Sequence, residues 1–221
     1  MICPLAPLVI YPKSEILIYY HLGLRAEMGV GLSRMNLCTV GKASAGLAAF
    51  LPPRSRVIIG HDHRHNSAQF ALIAARAYAA VGHQVTILPG LVPTPFIPAA
   101  LQCFPGRFQL GIMITASHNP AADNGYKVYG PNGAQIVDSV AKVMAACIDK
   151  IDTIQLSEKC DFEDANILKE ITSWYKKELR EWISLFPKPK SIPKIVYTAM
   201  HGVGGAIVTE LFRELFSTGK T

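Results

Sequence analysis

The chain has 221 residues, half of them apolar and 17% charged, which excludes a disordered tail or polar linker and leaves enough apolar surface for a real core. The net charge of +6 is diffuse. Residues 1–150 carry twelve Lys/Arg against six Asp/Glu, with no basic run of the kind that tracks a phosphate backbone, so a small anionic substrate is expected and nucleic acid is not.

In chain order, Leu5–Ile10 and Ile16–Tyr20 are apolar but too short to span a membrane, and no basic leader region precedes them. Arg56–His61 is a β-branched run that ends at a polar turn. A helix follows, capped by Asn66 or Ser67, with Phe70, Ile73, Ala74, Ala77 and Val81 at helical spacing and Gly82 at its end. Gln84–Leu88 reads as a second strand, Pro93 to Leu101 as a short helix, and Gln109–Thr115 as a third strand, apolar throughout as in a sheet covered on both faces. Tyr126–Tyr129 and Ala134–Ile136 read as a hairpin, and 137–151 and 167–185 as helices. Phe186 to Pro193 carries three prolines and reads as a linker. A strand over Lys194–Thr198 and a helix over Val203–Phe216 follow. Alternating strands and helices with short connections predict an α/β fold, a three-layer α/β/α sandwich with a mixed sheet. The expected organisation is an atypical segment at 1–21, one domain at 22–187, a linker at 188–193 and the truncated beginning of a second domain at 194–221. The five cysteines are widely spaced with no Cys-x-x-Cys pair, as expected of reduced thiols in the cytoplasm.

The segment 111–136, GIMITASHNPAADNGYKVYGPNGAQI, is the most informative. An apolar strand delivers Ser117 to its carboxyl end, where ligands bind in open α/β sheets. A polar turn is one reading of the serine. A serine hydrolase is disfavoured, because His118 is its sequence neighbour and adjacent side chains on extended backbone point opposite ways; the flanks are also not Gly-x-Ser-x-Gly. The remaining reading is a serine that carries a phosphoryl group, neutralised by a nearby lysine and a cation. His61, His63 and His65 alternate through HDHRH, but no fourth ligand accompanies them, so zinc is not expected.

TASHNP followed by DNGYKVY and NGAQI resembles the active-site serine loop of the α-D-phosphohexomutase superfamily, which includes phosphoglucomutases and phosphomannomutases. Three further segments agree in order: Gly23-Leu-Arg-Ala-Glu-Met-Gly29 with Ser33-Arg-Met-Asn36, the turn Gly60-His-Asp-His-Arg-His-Asn-Ser67, and Tyr197-Thr-Ala-Met-His-Gly-Val-Gly204. Together they are most similar to the phosphoglucomutase-2/phosphopentomutase branch. The resemblance implies a phosphosugar mutase that moves a phosphoryl group between the C1 and C6 hydroxyls of a hexose, or C1 and C5 of a pentose, through a phosphoserine and a sugar bisphosphate. It implies Ser117 as carrier, His118, Lys127 and Arg25 as catalytic, and Arg25, Ser117, His118, Asn119 and Lys127 as substrate-binding. In the turn, an Asp62–Arg64 pair fixes the loop. Mg²⁺ is implied, with the Ser117 phosphoryl group as one ligand, and a sugar 1,6-bisphosphate as priming activator.

Two departures stand out. The family's first loop reads Gly-Thr-x-Gly-Leu-Arg, whereas Tyr20-His21 here replace its first glycine and threonine. Its Asp-Gly-Asp-x-Asp metal loop has no counterpart, nor have its sugar and distal phosphate loops. The chain is therefore expected to be a fragment, inactive by itself; the alternative is a non-catalytic truncated paralogue or interaction fragment keeping the fold.

Overall fold

A computed structural model describes residues 8–9, 23–187 and 194–216. The atypical 1–21 segment, apart from Leu8–Val9, and the 188–193 linker lie outside the described residues.

The framework is a five-stranded mixed sheet in the order β2-β6-β5-β3-β4. Its strands are β2 (Leu24–Glu27), β3 (Arg56–His61), β4 (Gln84–Ile87), β5 (Leu110–Ile114) and β6 (Asp123–Tyr129). β1 (Leu8–Val9) forms a separate two-residue antiparallel pair with β7 (Thr153–Ile154). The helices are α1 (Leu37–Phe50), α2 (Ser67–Ala80), α3 (Phe96–Cys103), α4 (Asp138–Asp149), α5 (Ala165–Ser184) and α6 (Gly205–Phe216).

Alternation along the central strands builds the layers. Val57 and Ile59 of β3, Ile112 and Ile114 of β5, and Tyr126 and Val128 of β6 pack with α1, α2 and α4 on one face. The intervening Ile58, Met113 and Tyr129 pack with α3 and α5 on the other. Every residue of β5 is buried, which is why it reads as a continuous apolar run. β3 is parallel to both β4 and β5, which flank it on opposite sides. The β3–α2–β4 and β4–α3–β5 crossovers step in opposite directions across the sheet, with α2 on one face and α3 on the other. The three-layer mixed α/β sandwich expected from the sequence is thus present.

Several elements differ from expectation. β2 and α1 were not predicted. Helix α1 carries the stretch Gly41-Lys-Ala-Ser-Ala-Gly46, whose small residues give little apolar contrast, and it is set by a capping box in which Asn36 and Thr39 satisfy each other's backbone. Tyr126–Tyr129 is the end of a seven-residue strand paired with both β2 and β5. Its predicted hairpin partner contributes a single bridge, Tyr129 to Gln135. The strand expected at 194–198 has no regular secondary structure and pairs with no strand among the described residues. Of the two candidate caps of α2, Asn66 occupies the position with φ 63°, yet its side chain makes no capping hydrogen bond.

Candidate active site

β3 and β5 are parallel neighbours, so both chains leave the sheet at the same edge, one toward α2 and the other toward β6. This puts the 62–67 turn beside the 115–122 loop at the carboxyl ends of the strands, where the sheet opens to ligands.

Thr115 and Ala116 are buried, and Ser117 emerges at the surface. Ser117 has φ 56°, a left-handed conformation that costs a non-glycine residue about 1–3 kcal/mol and persists only where its surroundings enforce it. Its amide donates to Thr115 Oγ1 at 2.9 Å, and its carbonyl accepts from Arg64 Nη2 at 2.7 Å. Arg64 also donates to the carbonyls of Asn119 (2.7 Å), Pro120 (2.8 Å) and Asp123 (3.0 Å). Arg64 Nε lies 3.5 Å from Asp62 Oδ2. Asp62 Oδ1 in turn accepts from the Arg64 amide and the Ser67 hydroxyl, at 3.0 and 2.8 Å. The fully buried Asn124 closes the set, donating to Ser67 Oγ (2.9 Å) and to the His65 carbonyl (3.0 Å). Sequence reading anticipated the Asp62–Arg64 pair. It missed Thr115, Ser67 and Asn124, whose only signal was their place inside the two matched motifs.

Lys127 reaches the same point from β6. Gly125, Lys127 and Tyr129 alternate onto the α3/α5 face, and Arg25 sits opposite Gly125 across the β2–β6 pair on that face. Lys127 Nζ donates to Ser117 Oγ at 2.7 Å. The lysine is a half-buried strand residue rather than a loop residue. Burial first, then the Arg25 charge, lower its pKa below the ordinary value, with Asp62 opposing. Exposed Arg25 donates to Asn119 Oδ1 at 3.0 Å, and Asn119 Nδ2 donates to Asp123 Oδ2 at 2.8 Å. Ser117, Lys127, Arg25 and Asn119 are therefore brought together. His118 is exposed beside them and makes no hydrogen bond among the described residues.

Arg25 is aligned despite the altered first loop. Gly23 has φ 95°, and a Cβ there would lie 2.0 Å from the Tyr126 carbonyl oxygen. The glycine of GLR thus lets β2 lie flat against β6 in the register that presents Arg25.

No group of three His, Cys, Asp or Glu side chains that could hold a metal ion occurs among the described residues. Asp62 is committed to Arg64 and Ser67, Asp123 accepts from Asn119, and the His61 ring bonds its neighbour's carbonyl at 2.9 Å. The described residues do not form a Mg²⁺ cage, and the histidines do not form a zinc site. A serine held under strain against a lysine, with Arg25 on the neighbouring Asn119, is suited to accepting and stabilising a phosphoryl group.

Comparison with known proteins identifies the family of the domain. Residues 18–155 match the family described as "Phosphoglucomutase/phosphomannomutase, alpha/beta/alpha domain I". A Schizosaccharomyces pombe protein named "Probable phosphoribomutase" is 41% identical over 200 residues, covering 85% of this chain and 34% of that protein. A Staphylococcus aureus phosphoglucomutase is 34% identical over 203 residues, covering 87% of this chain and 36% of its own length. A solved structure of a phosphoglucomutase/phosphomannomutase family protein from Burkholderia thailandensis shares the fold, with TM-score 0.62 at 23% identity over 90% of this chain and 42% of that one. The chain thus spans about a third of the length of the curated relatives it matches. It belongs to the phosphoglucomutase/phosphomannomutase family, of which it carries the α/β/α domain I.

Proposed function

We propose that these residues form the phosphoryl-carrier part of a phosphosugar mutase, with Ser117 as carrier. The observation that carries the reading is the 2.7 Å contact of Lys127 Nζ with Ser117 Oγ, on a serine held in a left-handed conformation at a strand's carboxyl end. In one direction Ser117 Oγ attacks a phosphorus of a sugar bisphosphate. The Oγ–P bond forms, the P–O bond to the sugar breaks, and the serine proton ends on the freed sugar oxygen. In the other direction the phosphoserine passes its group to a hydroxyl of a sugar monophosphate. When the phosphoserine gives its group to the C6 hydroxyl of a hexose 1-phosphate (C5 of a pentose), a bisphosphate results. Ser117 then takes the C1 phosphoryl from it, the sugar leaves as the 6-phosphate (5-phosphate), and the isomerisation is complete.

Lys127 is placed to hold the proton in transit and to face the phosphoryl charge. Its lowered pKa enlarges the neutral fraction able to accept that proton. Arg25 stays charged and acts electrostatically, since a guanidinium does not give up its proton. Phosphoserine carries about −1.5 to −2 charges, which two cations answer. Asn119 orients Arg25. His118 belongs to the reading as a substrate contact through its exposure beside the carrier.

A sugar 1,6-bisphosphate is the proposed priming donor. Mg²⁺ is proposed for the complete enzyme, with ligands other than the phosphoserine coming from outside the described residues. Segment 194–216 is read as the opening of a second domain. Cytoplasmic location is proposed from the free thiols of Cys38, Cys103, Cys147 and Cys160.

The test is incubation of the full-length protein that carries this chain with glucose 1,6-bisphosphate or ribose 1,5-bisphosphate, followed by intact mass and site mapping. One phosphate on Ser117, and none in Ser117→Ala, is expected. Equal incorporation in Ser117→Ala overturns the assignment.

A further inference from the structure

Arg64 makes an unusual set of contacts. Its Nη1 donates to the Pro120 and Asp123 carbonyls, its Nη2 to those of Ser117 and Asn119, and its Nε faces Asp62. A guanidinium has five N–H donors in a fixed fork; the four on Nη1 and Nη2 go to backbone carbonyls, and Nε lies 3.5 Å from the Asp62 carboxylate. The fork is thus turned to the protein's own backbone. The side chain is 10% exposed and Asp62's is 8% exposed, so solvent competes little for these contacts. Four carbonyl dipoles facing one side chain repel one another unless a cation sits between them, and among cationic side chains only the guanidinium has enough donors to bond all four at once.

The consequence falls on Ser117. Its amide is tied to Thr115 Oγ1 and its carbonyl to Arg64, so the peptide units on both sides are fixed. Fixing both peptides fixes the dihedrals between them, and with them the direction of the side chain toward Lys127 Nζ. Arg64 is held in its own turn by Asp62, which is anchored by the Ser67 hydroxyl and the Arg64 amide. From these contacts we infer that Arg64 is a positioning residue of the phosphoryl-transfer site. It acts through the serine-loop backbone, holding Ser117 in its left-handed conformation with Oγ on Lys127. This rests on Ser117 being the carrier.

The prediction is a split between rate and binding. Misplacing a reacting atom by about 1 Å can cost about 10²-fold in rate. In the full-length protein, Arg64→Lys keeps the charge but offers three donors from a single point, so it cannot reproduce the fork. Single-turnover transfer from a sugar bisphosphate to Ser117 is followed by quench and mass spectrometry over a range of donor concentrations. Arg64→Lys and Arg64→Ala are expected to slow transfer at saturating donor by about 10²-fold, with less than threefold change in half-saturating concentration. Added methylguanidinium is expected to restore part of the rate in Arg64→Ala, and methylammonium is expected not to. Circular dichroism and thermal melting establish that each variant is folded. If Arg64→Ala does not fold, Arg64→Lys decides the matter.

Transfer at the wild-type rate by folded Arg64→Lys, or a loss confined to donor binding, overturns the positioning role while leaving Ser117 as carrier. Failure of the wild type to label Ser117 at all overturns the carrier reading instead.

Discussion

Lys127 is held against Ser117 at some cost to the fold. A lysine whose pKa is lowered in the folded state makes folding less favourable while it must be charged, and the penalty disappears as pH rises through the lowered value toward the ordinary 10.5. Lys127→Met removes the ammonium and keeps the length of the stem. It is expected to abolish most phosphoryl transfer to Ser117 while leaving denaturant stability at pH 7 equal or slightly higher, with any advantage vanishing near pH 10.5. Urea titrations at pH 7 and 10, with transfer assays on the same samples, check this. Gly23 shows the opposite behaviour. With φ 95° and the Tyr126 oxygen where a Cβ would go, Gly23→Ala is expected to unseat β2 and cost well over 1 kcal/mol, lowering Tm by several degrees. Arg25 would lose its position with the strand, so transfer is expected to fall in the same variant even below its melting range.

Elements are held by how closely they approach. Helix α1 lies on α4 through Gly46, where a Cβ would come within 2.5 Å of the Ile148 Cα. Backbone cannot rotate out of the way as a side chain can, so Gly46→Ala must push the helices apart. A loss of about 1–3 kcal/mol is expected, read as a lower urea midpoint at unchanged slope. The face between the helices and the sheet also holds a buried hydroxyl cluster in which Tyr126 meets Ser44 at 3.1 Å and Tyr78 at 3.2 Å. Burial drives the Tyr126 pKa up, so the hydroxyl stays protonated and remains available as a donor. Tyr126→Phe is expected to cost about 0.5–1.5 kcal/mol, checked by the same titration. β6 thus carries a core tyrosine and the site lysine on adjacent residues because a strand alternates its faces.

At the scale of the whole molecule, α6 is tied to α5 by charge. Lys176 contacts Glu210 at 2.5 Å and Glu214 at 2.7 Å, and Arg180 also pairs with Glu214. Ile207 adds an apolar contact with the core on the α3/α5 face. The Glu214 carboxyl is held below its ordinary 4.5 by Lys176, so its share of the docking is present at neutral pH and lost as pH falls through the lowered value. Lys176 is held above its ordinary 10.5 by the two glutamates, so its share is lost only as pH rises through that higher value. Lys176→Met is expected to speed hydrogen exchange across 205–216 while sparing the central strands. High salt is expected to do the same to the wild type, since surface pairs are screened.

The sequence by itself determined the sandwich and singled out Ser117 as the candidate carrier. β3, α2, β4, α3 and β5 were legible because their apolar spacing follows the local period of each element. Ser117 stood out because TASHNP, at the end of an apolar strand, resembles the family's serine loop. Spacing along the chain carries no information about which strand becomes whose neighbour. Only the tertiary structure decided that β6 pairs between β5 and β2, which turns a supposed hairpin arm into the strand that aims Lys127 at Ser117. Only it showed that Arg64, 53 residues before Ser117, bonds four carbonyls of the serine loop and the start of β6 while pairing with Asp62. Those contacts exist because parallel β3 and β5 end side by side at one sheet edge. Adjacency of that kind is fixed by packing and hydrogen bonding between distant segments, which no local pattern records.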